Sequence, residues 1–428
     1  MIILSKLELK MFPASYGDSF LISCSGNKQT NILIDMGFMS TYTNVIKKEL
    51  QRLNQKGETL SLLVFTHVDE DHILGGIRFI KENGNFNSPK IIPVEEIWHN
   101  SYKHLQFDKK QCSPEIGDES STNVLKSIVK KGYKREIGVK DISDIGFKDG
   151  STLAGLLYEH GYSDIWNKTF NYEAVEVMKA NKHLKTITIN EEVKLIILSP
   201  DKEKLVNLDQ GWKDKLIELG FKGKVESNKL MDDAFEMYMA NKSKEVIKRR
   251  KVSKVSGEKI NVDDISNQDF IHDTSEANGS SISFILEFRG RKLLFLGDSH
   301  PDIIERNLLE VLKQEKTKKL YFDAVKISHH GSKHNTSKSL LNLFETNKYL
   351  ISTNGRGKGF THPDIETIAR IITSNEKNKK TIIFNFKPVH LFEQINNQEL
   401  QDKYNFKLEF TNNVMEAITN EITVIEFE

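Results

Sequence analysis

The stretch "THVDEDHILGG", residues 66–76, places three acids and two histidines within the six positions His67 to His72, directly after the apolar run "SLLVF". A continuous run of this kind reads as a strand buried on both faces. Side chains just past its end converge beyond the sheet edge, outside the core but close to one another. Carboxylates and imidazoles confined together repel, or lose hydration without compensation, unless a cation neutralises them. A divalent metal is the economical explanation, and oxygen and nitrogen donors without sulfur suit Zn2+, Mn2+ or Fe2+.

Two later segments repeat the placement. Asp298 follows the apolar run "KLLFL" through Gly297, and His329 and His330 follow "DAVKIS". Alone, an aspartate after a glycine reads as a turn or helix cap, and a single histidine is ordinarily no ligand. Three strands that all end in ligand-type residues carry the argument. Asp35 ends "NILID" and Asp18 follows Gly17, both at further strand edges, and Asp18 reads as structural. Gly75 and Gly76 read as letting the backbone approach the site, although a helix start would also use them.

The remaining pattern is a β-rich frame interrupted twice. Residues 1–100 alternate short β-rich runs with turns and one helix, and "ILGGIRFIKEN" begins another. Residues 101–190 are polar, lysine-rich and mainly helical in pattern, 191–202 restore a buried strand in "VKLIILSP", and 203–275 are again helical and charged. The second block holds a basic run with Lys242, Lys244, Lys248, Arg249, Arg250, Lys251, Lys254 and Lys259. Residues 276–428 resume the frame. Two sheets with helices outside them, an α/β architecture with two large helical insertions, are expected.

Composition narrows the class without naming a partner. Across 428 residues, 61 Lys plus Arg balance 60 Asp plus Glu, so net charge neither favours nor excludes nucleic acid. Cys24 and Cys112 are the only cysteines, which argues against a disulfide framework or thiolate metal site and for a reducing compartment. The opening "MIILSKLELKMF" is too short in apolar run for a signal segment, and no stretch approaches a membrane span. A cytoplasmic protein with no membrane partner is expected.

The motif HVDEDH resembles the H-x-[HD]-x-D-H signature of the metallo-β-lactamase fold, with Asp69 where most members carry a second histidine. That variant is similar to the nuclease domain of ComEC-type DNA-uptake competence proteins, and "YGDSFLI", "ILIDMG", "IILSP", "NGSSISFILEFRGRKLLFLGD", "DAVKISHHGSKHNTS" and "STNGRGKGFTHPD" follow its order of motifs. The two helical blocks lie outside the resemblance. It implies an αββα sandwich and a centre of two divalent ions, Zn2+ or Mn2+. One ion would be held by His67, Asp69 and Asp298. The other would be held by Asp71, His72, Asp298 and one histidine of HHGS, His329 or His330, the other facing the scissile group. Asp35 is implied as the partner that orients a metal histidine. Where many members supply a further histidine, this chain reads "NGSS"; nearby His272 reads as a surface residue, leaving water to complete the first site.

Two such cations lower the pKa of a shared water and stabilise charge on a phosphorane. Catalytic candidates are Asp71, which would orient the nucleophile, with His330, Lys326 and His362, which would hold phosphate oxygens or protonate the leaving oxygen. Lys326 equally reads as a solvated strand side chain. Lys333 and Ser332 are candidate substrate contacts, although Ser332 and Thr336 also read as caps of the following helix.

DNA is the expected substrate, through the motif variant and the basic run. Trp166, Phe170 and Tyr172 read as core of the first insertion rather than a stacking platform. The alternatives are hydrolysis of a small phosphoester, lactone or thioester on the same centre, and a non-catalytic, metal-stabilised interaction module. The size and position of the insertions suggest that a regulatory protein partner could act on them to uncover the site; nothing in the sequence fixes the oligomeric state.

Overall fold

In the strand Val193–Ser199, Leu195 and Ile197 enter one buried layer while Ile196 and Leu198 enter another, the two-residue period of a strand covered on both faces. A computed structural model describes residues 5–107, 119–132, 151–180, 183–242, 261–356, 361–375, 378–412 and 420–427. Within them two large sheets face each other. A six-stranded sheet runs in the order Thr423–Phe427, Lys6–Met11, Phe20–Ser25, Thr30–Ile34, Leu62–Val64 and Ile97–Trp98. An eight-stranded sheet runs Phe406–Asn412, Lys380–Phe386, Lys348–Ile351, Ala324–Lys326, Arg291–Phe295, Ser283–Phe288, Val193–Ser199 and Thr186–Thr188. Each sheet is antiparallel at one side and parallel at the other.

Side-chain alternation sorts three apolar layers from these strands. Leu9, Ile22, Ile32 and Val64 of the first sheet meet Leu195, Phe284, Leu293 and Ile383 of the second between the sheets. Leu21, Leu33 and Leu63 turn outward to the helices Lys47–Gln55 and Glu70–Asn83. Ile285, Leu294, Val325 and Phe384 turn the other way to Pro301–Glu315 and Ile365–Thr373. The result is the expected helix–sheet–sheet–helix sandwich.

The insertions extend these outer layers. Helices Glu119–Lys131 and Leu153–Glu159 pack on Lys229–Lys242 and bury Leu125, Ile128, Leu157 and Phe235 in the layer outside the first sheet. Val262 of the short helix Val262–Ser266 joins the opposite layer, against Ile365–Thr373. The second insertion therefore touches both sides of the sandwich. Trp166 and Phe170 are buried and Tyr172 is exposed.

Two edges depart from the sequence reading. The block expected to be helical to residue 190 ends in the strand Thr186–Thr188, which pairs with Val193–Ser199 because Ile187 buries between two exposed threonines. Phe406–Asn412 forms the other edge of the eight-stranded sheet, a strand the sequence reading passed over although Phe406, Leu408 and Phe410 alternate with polar residues. Residues 243–260, with most of the basic run, lie outside the described residues, as does Cys112; Lys242 is paired with Glu276 at 2.8 Å. Cys24 is buried, and burial pushes its thiol up to about 12. Among the described residues no helix is long and apolar enough to cross a membrane.

The helix Glu70–Asn83 sits close under the first sheet because of two glycines. A Cβ on Gly75 would lie 2.0 Å from the Met36 carbonyl oxygen, and one on Gly76 2.1 Å from the Phe65 ring. These contacts bring the helix to the strand ends rather than opening the backbone toward a ligand, which corrects the reading of both residues. Gly75→Ala is expected to destabilise the protein by about 1–3 kcal/mol, because a backbone atom cannot move aside; thermal or urea unfolding measures it, and an unchanged midpoint contradicts the packing argument.

Candidate metal centre

Four chain segments, two from each sheet, deliver side chains to one end of the sandwich. Asp35 follows Thr30–Ile34, His67 to His72 follow Leu62–Val64, Asp298 follows Arg291–Phe295, and His329 and His330 follow Ala324–Lys326. All four strands have a parallel neighbour, and the carboxyl ends of parallel strands are where such sheets leave room for a site. Asp18 arrives from the opposite direction. It precedes Phe20–Ser25, whose first residue pairs antiparallel with Ile34, so its N-terminal end lies at the same edge. The two sheets are tied there by Ile282 N, which donates to the Thr66 carbonyl at 2.9 Å.

The cluster centres on one oxygen. Asp298 Oδ2 lies 3.8 Å from His67 Nε2, 3.5 Å from His72 Nε2, 3.8 Å from His329 Nε2 and 3.7 Å from His330 Nε2. Asp69 Oδ2 is 3.7 Å from His67 Nε2, and Asp71 Oδ2 is 3.9 Å from His72 Nε2 and 3.4 Å from His330 Nε2. The buried atoms His67 Nε2, His72 Nε2, His330 Nε2, Asp69 Oδ1 and Asp298 Oδ1 make no hydrogen bond. Most of these separations are too long for hydrogen bonds. They suit the edges of a coordination shell, since two ligands about 2.1 Å from a tetrahedral ion stand about 3.4 Å apart. The donor set thus fits divalent metal.

The far nitrogen of each ring is occupied. His72 Nδ1 donates to Asp35 Oδ2 at 2.8 Å, His67 Nδ1 to Thr66 Oγ1 at 3.1 Å, His330 Nδ1 to the Ser352 carbonyl at 2.9 Å and His329 Nδ1 to Asn335 Oδ1 at 3.1 Å. Thr66 passes its own proton to Asp35, which also accepts from Thr66 N. With Nδ1 as donor, it is the Nε2 of each ring that faces the centre, and its lone pair becomes available once any proton on it is lost.

The backbone is bent to achieve this. Asp35, His329 and His330 have φ of 53°, 47° and 53°, left-handed values that cost a non-glycine residue free energy and persist where surroundings enforce them. Gly297, with φ of 50°, has no room for a side chain, since a Cβ would stand 2.3 Å from Ser281 Oγ. Ser281 Oγ in turn accepts from Asp298 N at 3.0 Å.

Electrostatics follow from this crowding. Burial pushes the Asp298 carboxyl up, but His72, His330, His329 and Lys326 outweigh it and hold it well below the carboxylate range. Burial pushes His330 down, and Asp18 and Asp298 reverse that and lift it to about 10. His72 is likewise raised well above its ordinary value, burial being overcome by Asp298, Asp35 and Asp71. Burial raises Asp18, yet Lys326 and His330 bring it to about 2.

Asp18 and Lys326 stand differently from their sequence readings. Donor atoms of Asp18, His72, Asp298 and His330 all lie within 4.8 Å of one another, so Asp18 is part of the centre rather than a remote structural residue. Its carboxylate is taken up by the Lys326 ammonium and faces His330 Nδ1 at 3.3 Å, the side away from Nε2, so it orients the ring rather than ligating. Lys326 is no solvated strand side chain: it is buried and donates to the Gly297 carbonyl at 2.8 Å. An aspartate at the start of a strand antiparallel to "NILID" was the available signal for Asp18.

The other candidates surround the centre. His362 lies beside His329, ring centroids 5.1 Å apart, with Nδ1 3.4 Å from Asp364. Lys333 Nζ is paired with Glu366 at 2.6 Å. Ser332 Oγ accepts from His334 N at 3.2 Å, and the following helix is capped by Ser337, not by Ser332 or Thr336. His272 is exposed beside Phe270. Its neighbour Asp273, which the sequence did not single out, reaches His329 instead.

A cation that enters must displace protons from Nε2. Below about 10, the value of His330, each displaced proton makes apparent affinity rise about tenfold per pH unit. Binding of Zn2+ or Mn2+ is therefore expected to release protons at neutral pH and to tighten from pH 6 to pH 9. Calorimetry in buffers of different ionisation heat measures the release; zero protons released contradicts the raised values of His72 and His330.

A comparison with curated proteins finds no match. Residues 13–159, the part of the frame that carries Asp18, Asp35 and the cluster from His67 to His72, match the family model of the metallo-beta-lactamase superfamily.

Proposed function

We propose that the chain is a metal-dependent hydrolase of phosphodiester bonds whose substrate is nucleic acid, DNA before RNA. The carrying observation is the single Asp298 oxygen faced by four imidazole nitrogens, with Asp69 and Asp71 alongside. The superfamily matched by residues 13–159 consists in general of metal-dependent hydrolases. The order of motifs that resembles the ComEC-type nuclease domain supports the choice of DNA.

His67, Asp69 and Asp298 would hold one divalent ion, and Asp71, His72, His330 and Asp298 the other. Bound ions of this kind lower the pKa of water and neutralise charge on phosphoryl oxygens. The protein's part is orientation. Asp35, Thr66 and Ser352 fix the imidazoles, and Lys326 fixes the Gly297–Asp298 turn while neutralising Asp18. His362, beside His329 at the edge of the centre, is the group placed to meet a leaving oxygen.

One observation favours a second reading, hydrolysis of a small phosphoester. Among the described residues, Lys204, Lys326 and Lys333 near the centre are each paired with an acid, leaving little counterion release to a polymer backbone. The test uses full-length protein with Mn2+, Zn2+ or chelator on linear and circular DNA, RNA, an aryl phosphodiester, an aryl phosphomonoester and a lactone. Metal-dependent cleavage of DNA and the aryl diester is expected, with Asp71→Ala lowering turnover by more than about a hundredfold. Cleavage of the small diester but not DNA selects the second reading, and lactone turnover alone overturns both.

A further inference from the structure

His329 differs from the other three histidines of the centre in what holds it. Its side chain is 24% exposed where that of His330 is 1%. Asn335 Oδ1 accepts from Nδ1 at 3.1 Å, and Asp273 Oδ2 stands 3.6 Å from the same nitrogen. Asp273 Oδ2 also accepts from Asn335 Nδ2 at 2.9 Å and Asn278 Nδ2 at 2.7 Å. Asn335 Nδ2 further donates to the Asp298 carbonyl at 3.2 Å.

Asp273 comes from the inserted segment, and that segment is laid along the histidine loop. Asp273 N donates to the His334 carbonyl at 3.1 Å, and His334 Nδ1 to the Ile271 carbonyl at 2.8 Å. A second polar bridge lies close by, where Lys204 Nζ meets His300 Nδ1 at 3.2 Å and Asp302 at 2.9 Å. A carboxylate behind a ligand histidine fixes ring orientation and raises basicity, and its loss typically costs metal affinity about 10–100-fold.

We propose that Asp273 is the positioning residue for His329. With Asn335 it holds the imidazole so that Nε2 faces Asp298 Oδ2 as a further metal donor, and docking of the inserted segment thereby sets the affinity for one ion. This rests on the metal-centre reading and on no particular substrate. The ion that His67, Asp69 and Asp298 would hold has three protein donors, which leaves room in its shell for a further one. His329 Nε2 supplies one without moving a buried side chain.

The test is metal binding, not turnover. Zn2+ affinity and stoichiometry of the full chain are measured by chelator competition for wild type, Asp273→Asn, His329→Asn, the double variant and Asp273→Glu, with unfolding of each metal-free protein as a check. Asp273→Asn and His329→Asn are each expected to weaken one ion by about 10–100-fold. On this proposal the double variant should bind no more weakly than His329→Asn, the Asp273 contribution being carried through that ring, and Asp273→Glu should recover part of the loss. Unchanged affinity in either single variant, or losses that add in the double variant, overturns the proposal while leaving the centre standing. A wild-type chain that binds no ion sinks the metal-centre reading itself, and that result is read before any variant.

Discussion

One carboxylate oxygen, Asp298 Oδ2, is shared by four imidazole nitrogens from two chain segments. Everything else at this edge can be understood as the means of keeping that arrangement in place. The Asp298 turn needs Gly297 and Ser281, the imidazoles need acceptors behind them, and three residues sit in left-handed backbone. An apolar core alone would not tolerate so many buried ionisable groups. Their mutual neutralisation makes the burial sustainable, and divalent ions would carry it further.

Lys326 and Asp18 show how finely this balance is drawn. Burial disfavours the ammonium, yet Asp18 and Asp298 reverse the effect and raise it above its ordinary value. The pair holds two elements together, the segment before Phe20–Ser25 and the Asp298 turn, and supplies one positive charge to a cluster otherwise rich in acids. A lysine there does from within the protein part of what an ion does from solution.

The sandwich and much of its edge were legible because apolar runs that end in ligand-type residues are a strong local signal. "SLLVF" before His67, "KLLFL" before Asp298 and "DAVKIS" before His329 all become strands that end at the site. What was not legible depended on pairing. Asp18 is drawn in by an antiparallel register that its own sequence does not announce, and Asp273 by hydrogen bonds across a long insertion. The edge strand Thr186–Thr188 gave a weak signal because only Ile187 of its three residues is apolar, whereas the alternation of Phe406, Leu408 and Phe410 in the other edge strand was there to be read. Ser332 and Thr336 misled because hydroxyls before a helix are common, and only the structure shows that Ser337 does the capping.

The hydrogen bond from Ile282 to Thr66, which sutures the two sheets beside the cluster, has a consequence for biogenesis. The first half of the frame leaves the ribosome with its acids and histidines gathered at a strand end, long before Asp298, Lys326 or His330 has been made. During that interval the nascent edge is a partial chelator without its central oxygen or its internal cation. The full donor set exists only when the second sheet has closed on the first, so any ion held by it would be acquired late in synthesis, at the joining of two halves separated by both insertions.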